Sequence, residues 1–596
     1  MTETVGDFII ERLHDWGVRL MFGYPGDGIN GTFAALQRVE GRIGYVQARH
    51  EEMAAFMASA YAKFSGTMGV CISTGGPGAS HMVTGLYDAK LDHQPVLAIT
   101  GQAAQTVRGA HYQQELNLDR LFADVADYVQ EVVAPAQTRH VIDQACRVAQ
   151  ANRAPTVVIL PADLQMQAME QPMREHGFVR SGVGYAYPKI VPYDTELSHA
   201  AAVLNAGTRV AILIGAGAMH AHDEVIAVAD ALGAGVAKAL LGKAALPDDL
   251  PFVTGTIGLL GTEPSSNMMD ECDTLLMVGT SFPWAEFLPK DGQARCVHID
   301  IKAQTLGMRY PSEVNLHGDS AETLRALLPL LTRKTNRSWR NKIEADVADW
   351  WTTIENRAFM HATPVNPQRV VWEMSPRLPA NAIITSDSGS CANWYARDLR
   401  IKRGQMASLS GGLASMGAAV PYAIAAKFAH PDRPVIALVG DGAMQMNNMA
   451  ELITVKKYWR DWISPTWICC VFNNEDLNQV TWEQRVMLGE PRFDATQLIP
   501  NVAYSKFAES LGLNAIYVDD PDALGAAWDA ALASNCPTVI EVKTDPEVPP
   551  LPPHISFEQA RKFMSTMLKG DTGGAHLVVE SARQVLSDVL PGDRRT

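Results

Sequence analysis

Positive charge is in short supply in this chain. Lysine and arginine number 50 against 65 aspartates and glutamates, a formal net charge of −15 over 596 residues. A nucleic-acid partner therefore gets no overall electrostatic help, and none is expected. Cysteine is scarce too. The 8 cysteines are scattered, only Cys469 and Cys470 are adjacent, and no Cys-x-x-Cys occurs. That leaves no basis for a zinc framework or a disulfide scaffold. No uninterrupted apolar run approaches a membrane span, so no transmembrane segment is expected. The opening residues lack the basic stretch and apolar core of a secretory signal. A soluble, cytoplasmic protein is the expectation.

The remaining composition is that of a globular protein, 47% hydrophobic and 19% charged. The length suits about three or four domains. In residues 1–170, apolar runs at Val18–Phe22, Gly44–Gln47, Gly69–Ser73, Val96–Thr100 and Thr156–Leu160 alternate with helical stretches. This pattern predicts a parallel-sheet α/β domain. A polar connector follows. Residues 191–331 repeat the α/β pattern, with strands at Val210–Ile214, Thr274–Val278 and Val297–Asp300. A charged, Trp-containing connector, helical across Trp339–Phe359, leads to a third α/β unit at 360–550. The fold class expected is α/β, with three doubly wound parallel sheets. A Pro-rich stretch then opens a tail at 551–596, whose pattern over Ala575–Leu590 predicts a helix that packs on the core rather than on a membrane surface.

The third unit carries the most informative residue. Asp441 lies in Gly440-Asp441-Gly442-Ala443, just after the run Pro434–Val439. A second run, Trp467–Phe472, ends at Asn473-Asn474, and the segment Met444–Tyr458 between them is helical in pattern. A strand, crossover helix and parallel strand bring both strand ends to one sheet edge, where open α/β sheets bind ligands. A carboxylate and an amide oxygen there suit a hard cation such as Mg2+. The cation would bridge to a diphosphate, cradled by the backbone N–H groups after Gly442. Gly26-Asp27-Gly28 has the same three residues but no Asn pair after it, and reads as a strand-to-helix turn.

Gly-Asp-Gly followed by Asn-Asn resembles the motif of the thiamin diphosphate enzymes. The 33 positions from Asp441 to Asn474 exceed the usual separation, and the excess falls in the turn Trp459–Pro465. The resemblance implies Mg2+ held by Asp441, Asn474 and the Asp476 carbonyl. It gives Glu51, in Arg49-His50-Glu51-Glu52 at a helix start, the role of the carboxyl that activates the coenzyme through its pyrimidine. Without the resemblance, a carboxylate there reads as helix-dipole stabilisation. It makes Met416, 25 positions before Asp441, a wedge between the two coenzyme rings, and the Ala414 carbonyl an acceptor. It assigns the turn Ser386–Ser390, with Asp387, Gly389 and Ser390, to the diphosphate, and the loop Gly75–Gly78, with Pro77, to the pyrimidine.

The resemblance covers nearly the whole chain, in the order pyrimidine-binding, central and diphosphate-binding domain. It points to the pyruvate oxidase and acetolactate synthase branch, most of all to flavin-dependent pyruvate oxidase. The segments Thr254–Gly261 and Gly279–Pro289 match FAD-contacting segments there. FAD is therefore expected on Gly215, Ala216, Gly217, Thr254, Gly255, Thr256, Gly279, Thr280, Phe282, Asp300, Ile301 and Asp319. The implied reaction is decarboxylation of a pyruvate-like 2-oxo acid and oxidation of the resulting intermediate by flavin. The alternatives are a synthase-like carboligase with structural FAD, a non-oxidative decarboxylase, and a non-catalytic protein of the same fold. Gln114 and Glu483 are the candidates for handling substrate carboxylate and protons. A homodimer or homotetramer is implied. Two departures stand out: Gln113 where oxidases carry Phe, and Gln479 where oxidases carry Phe and synthases Met.

Overall fold

The computed structural model describes residues 3–39, 41–550, 561–563 and 566. The helix expected over Ala575–Leu590, and most of the tail with it, lies outside the described residues.

Three six-stranded sheets, parallel in every assigned pair, follow one another along the chain. The first contains β1 (Leu20–Gly23), β2 (Gly44–Gln47), β3 (Gly69–Ser73), β4 (Val96–Gln102), β5 (Tyr128–Glu131) and β6 (Pro155–Pro161), ordered β2-β1-β3-β4-β6-β5. The third contains β13 (Ile383–Ser386), β14 (Met406–Leu409), β15 (Val435–Gly440), β16 (Trp467–Asn473), β17 (Asn514–Val518) and β18 (Thr538–Lys543). Its order, β14-β13-β15-β16-β18-β17, repeats the first sheet's topology. Between them come β7 (Val210–Ile214), β8 (Gly235–Lys238), β9 (Val253–Thr256), β10 (Thr274–Val278), β11 (Arg295–Asp300) and β12 (Val314–His317). The middle order, β12-β11-β10-β7-β8-β9, is that of a dinucleotide-binding sheet, with its reversal between β7 and β10. No helix among the described residues is long and apolar enough to cross a membrane.

One hydrophobic core runs from the first domain into the third. The helix Glu51–Ser65 contributes Ala54, Ala55, Ala58 and Met57. The helix Ala419–Ala429 contributes Ala419, Ala423 and Ala426. Alanines on both helices let the two backbones approach closely. A further polar joint ties the middle domain to the third. Asp248 takes Lys238 Nζ at 2.6 Å on one oxygen and Lys243 Nζ at 3.0 Å on the other. It also accepts from the Ile401 N–H at 2.9 Å, and all three charged side chains are buried. Burial pushes the Asp248 carboxyl up, but the two ammonium groups outweigh it and hold it below its usual range. Removing one member of such a set leaves buried charge without compensation, at a cost of about 3–5 kcal/mol. Asp248→Ala is therefore expected to lower the melting temperature by several degrees in a thermal scan; an unchanged melt would show that the joint contributes nothing.

Candidate active site

At the third sheet's edge, the register Gly440↔Phe472 sets the ends of β15 and β16 side by side. Asp441 follows β15 directly and is 3% exposed. Its Oδ1 accepts from the Gly442 N–H at 2.9 Å, and its Oδ2 from the N–H groups of Asn474 and Glu475 at 2.8 and 2.6 Å. Burial pushes its carboxyl up to about 7, against those three donors. A buried carboxylate in that state is one that a bound cation would relieve. Asn474 Oδ1 accepts from the Asp476 N–H at 3.1 Å. The Asp476 carboxylate is held by Thr481 Oγ1 at 2.9 Å and Asn478 Nδ2 at 3.3 Å, which fixes the turn that carries its carbonyl. Glu475 has φ +58°, a left-handed conformation that reverses the chain between Asn474 and Asp476.

The neighbouring turn is shaped for an anion. Gly389, at φ +104°, and Gly440 both face open space where a Cβ would stand. Ser388 Oγ is buried and lacks a hydrogen-bond partner. The helix Ser390–Arg397 begins without a side-chain cap. Uncapped N–H groups, an orphaned hydroxyl and room for a ligand together fit a diphosphate. Asp387 behaves differently. Its buried carboxylate accepts from Ser388 N, Gly417 N, Ala419 N and Asn448 Nδ2 at 2.8–3.2 Å, so it organises the loop rather than facing the space. Met416 lies over Gly442: its Cε would be 3.3 Å from a Cβ built there. Ala414 is held at φ +54°. Past Ala443 the helix widens into a π turn, Met444–Asn448, a local distortion common at functional sites.

In the first domain, Glu51 opens its helix just past β2 and is 7% exposed. Glu51 Oε2 lies 2.9 Å from His81 Nδ1, and Oε1 lies 3.1 Å from where a Gly78 Cβ would stand. His50 stacks on His81 with ring centroids 4.4 Å apart, and donor atoms of His50, Glu51 and His81 all fall within 4.8 Å of one another. The sequence reading did not select either histidine. His81 ends the short helix Pro77–His81 that follows the glycine loop, and that placement was the available clue. Gly76 and Gln114, both at positive φ, touch through the Gln114 Cβ, which is 2.7 Å from a Gly76 Cβ position. The structure thus gathers Glu51, Pro77 and Gln114. It also draws the Glu51 turn against the helix leaving Asp441: Glu52 accepts from Asn447 Nδ2 at 2.9 Å, and Glu451 accepts from the Arg49 N–H at 2.7 Å. Glu483 is tied to the third domain instead. Gln479 Nε2 donates to Glu483 Oε1 at 2.9 Å, and Gln479 Oε1 accepts from Asn393 Nδ2 at 2.7 Å.

Most of the candidate flavin residues lie at or just past the carboxyl ends of the middle sheet's strands. Gly215 and Ala216-Gly217 follow β7, Gly279-Thr280 follows β10, Asp300 ends β11 and Asp319 follows β12. At the reversal point the glycines serve mutual approach. The Gly217 N–H donates to Gly279 O at 3.0 Å, and a Cβ on Gly215 would stand 2.5 Å from Gly279 O. Thr254, Gly255 and Thr256 lie in β9, where Thr256 Oγ1 donates to Ala396 O at 2.8 Å. Phe282 is buried beside Trp284. Asp300 accepts from the Lys302 N–H at 2.8 Å, Ile301 is exposed, and Asp319 caps the helix Ser320–Leu327. Strand order and crowded glycines suit a dinucleotide; the Asp300 and Asp319 side chains are engaged with the protein.

Family models for thiamine pyrophosphate enzymes match all three units: the N-terminal TPP-binding domain over residues 3–121, the central domain over 197–327 and the C-terminal TPP-binding domain over 387–542. The chain is 36% identical over 567 residues, 95% of its length and 96% of the relative's, to YdaP of Bacillus subtilis (strain 168), provisionally described as thiamine pyrophosphate-containing. The chain belongs to the thiamine pyrophosphate enzyme family. Pyruvate oxidase of Lactiplantibacillus plantarum is 30% identical over 540 residues, covering 90% of this chain and 88% of that one. A Methanocaldococcus jannaschii protein, provisionally named an acetolactate synthase large subunit, is 30% identical over 565 residues, covering 91% and 93%. This thiamine pyrophosphate enzyme thus falls in the branch that holds pyruvate oxidases and acetolactate synthases.

Proposed function

We propose that this enzyme decarboxylates a pyruvate-like 2-oxo acid with Mg2+-bound thiamin diphosphate and passes two electrons to FAD on the middle domain. The observation that carries the coenzyme reading is the buried Asp441 carboxylate beside an orphaned Ser388 hydroxyl and two glycines that face open space. Asp441, Asn474 and the Asp476 carbonyl would hold the metal. Gly389, Ser390, Gly440, Gly442 and Ala443 would bind the diphosphate, and Ala414 and Met416 would support the rings. When bound, the coenzyme would supply a nucleophilic carbon for the keto group and a sink for the electron pair left by CO2.

The protein's own part is binding, orientation and proton control. Glu51 is buried with its Oε2 2.9 Å from His81 Nδ1, so its carboxyl is held in one orientation in which it can share a proton with a bound pyrimidine. Gln114, with its backbone fixed against Gly76, is placed to receive the substrate carboxylate. Glu483, oriented by Gln479, serves proton transfer. Gln479, whose amide is engaged by Asn393 and Glu483, puts a polar group beside Glu483 where relatives carry an apolar one. The working enzyme is a cytoplasmic homodimer or homotetramer.

One experiment tests the oxidative reading. The purified enzyme is expected to show a flavin absorbance spectrum, and anaerobic mixing with a panel of 2-oxo acids should bleach it. A yellow enzyme that stays yellow while forming a carbon–carbon bond would favour the synthase reading. A colourless protein that releases CO2 would favour simple decarboxylation.

A further inference from the structure

Asp92 has no part in the site described above, yet its contacts converge on it. It caps the C-terminus of the helix Val83–Leu91 in the first domain, and its side chain is fully buried. Oδ1 accepts from the Gly412 N–H at 2.6 Å; Oδ2 accepts from the Gly411 N–H at 3.0 Å and from Lys63 Nζ at 2.6 Å. Gly411 and Gly412 belong to the third domain and open the segment 411–417 that carries Ala414 and Met416. Lys63 Nζ also donates to Leu409 O, the last residue of β14, at 2.9 Å. A Cβ on Gly412 would stand 2.7 Å from Leu91 Cβ and 3.0 Å from Asp92 Oδ1, so glycine is what permits the grip. At the far end of the segment Asp387 takes the N–H groups of Gly417 and Ala419. Buried carboxylates from two domains therefore fix the two ends. Ala414 is held between them at φ +54°, a conformation that costs about 1–3 kcal/mol and persists only where its surroundings over-determine it.

We propose that Asp92 is a positioning residue for the coenzyme. By gripping the Gly411 and Gly412 N–H groups across the domain boundary, it sets where the Ala414 carbonyl and the Met416 side chain stand over the diphosphate edge. The first domain then acts on its own chain's third-domain loop through Asp92, apart from any direct part played by Glu51. This inference rests on the proposed coenzyme contacts of Ala414 and Met416.

Asp92→Asn is the direct test. An amide has one oxygen where the carboxylate has two, so one of the two backbone donors, or Lys63, meets an NH2 group. The readout is the rate at which thiamin diphosphate, bound at saturation with Mg2+, exchanges its C2 proton for deuterium, followed by NMR after acid quench; no substrate is required. A displacement of about 1 Å at such a site costs on the order of a hundredfold, and that slowing is expected. Lys457→Ala is the control. Lys457 Nζ also bridges the two domains, donating to Gln47 Oε1 at 2.8 Å, but shares no partner with Asp92, and its substitution should leave exchange at the wild-type rate. Gly412→Ala displaces the segment with every charge intact and should slow exchange as Asp92→Asn does; it decides the matter if Asp92→Asn does not fold. Wild-type exchange in Asp92→Asn, or equal slowing in Lys457→Ala, would overturn the proposal. A wild-type protein that takes up no coenzyme would instead overturn the function proposed above.

Discussion

Glu51→Gln is expected to cut the rate of CO2 release from any accepted 2-oxo acid by about 10²–10⁴-fold, the usual contribution of a positioned acid or base. Glutamine keeps the size of the side chain and one acceptor oxygen, so the contact with His81, 2.9 Å away in the wild type, has a substitute. The helix beginning at residue 51 keeps its His50 cap. What glutamine cannot do is hold and share a proton. The diphosphate and metal contacts proposed above all come from the third domain, so coenzyme affinity should stay within about tenfold of wild type, as calorimetry would show. The melting temperature should barely move. A variant keeping more than a tenth of the wild-type rate would remove Glu51 from the chemistry. Loss of rate accompanied by equal loss of coenzyme uptake would reassign it to binding.

The legibility of this chain follows burial. Strands buried on both faces, such as β3, β7, β10 and β16, read as continuous apolar runs, and the expected and observed spans agree to within a residue. The strands that escaped the pattern are β5, β8, β9, β12, β14, β17 and β18. Several lie at or beside a sheet edge. β5 is half-buried throughout, β12 alternates buried and exposed residues, and Tyr517 of β17 is solvent-exposed. Others hold a buried Lys238 or Glu541 in place of an apolar residue. Asp441 and Asn474 stand out in the sequence because each follows a buried strand, β15 and β16, whereas Glu51 follows the half-exposed β2 and is singled out only by the family resemblance. Asp92 does not stand out, because its partner Gly412 lies 320 positions away and no periodicity links them. The sequence marked Gln479 as a departure, but only the fold shows that its amide is divided between Asn393 and Glu483. The π turns after Asp441 and Glu483 are similarly invisible to a pattern of 3.6-residue period.

The largest effect on binding is expected at Asp441. Asp441→Asn removes the charge that would face the cation and presents an NH2 group to one of the N–H donors of Gly442, Asn474 and Glu475. A lost charged contact is worth about 3 kcal/mol, so the Kd for thiamin diphosphate with Mg2+ should rise about a hundredfold. Stripping Mg2+ from the wild type with a chelator should weaken coenzyme binding in the same direction, and should do little further in the variant. The wild type also has a pH signature. Burial places the free Asp441 carboxyl at about 7, and a cation binds the deprotonated form. Protons therefore compete with Mg2+ below that value, and affinity should fall by about tenfold per pH unit as the solution is acidified from 7 toward 5. Above pH 8 it should level off. Asn does not titrate, so in calorimetric titrations the variant's slope should be shallower than the wild type's, the remainder being the coenzyme's own terminal phosphate, whose second proton leaves at about pH 6. A variant that retained the full wild-type slope would show that another group carries the proton, and a variant whose Kd matched the wild type's would show that the metal is not held at Asp441.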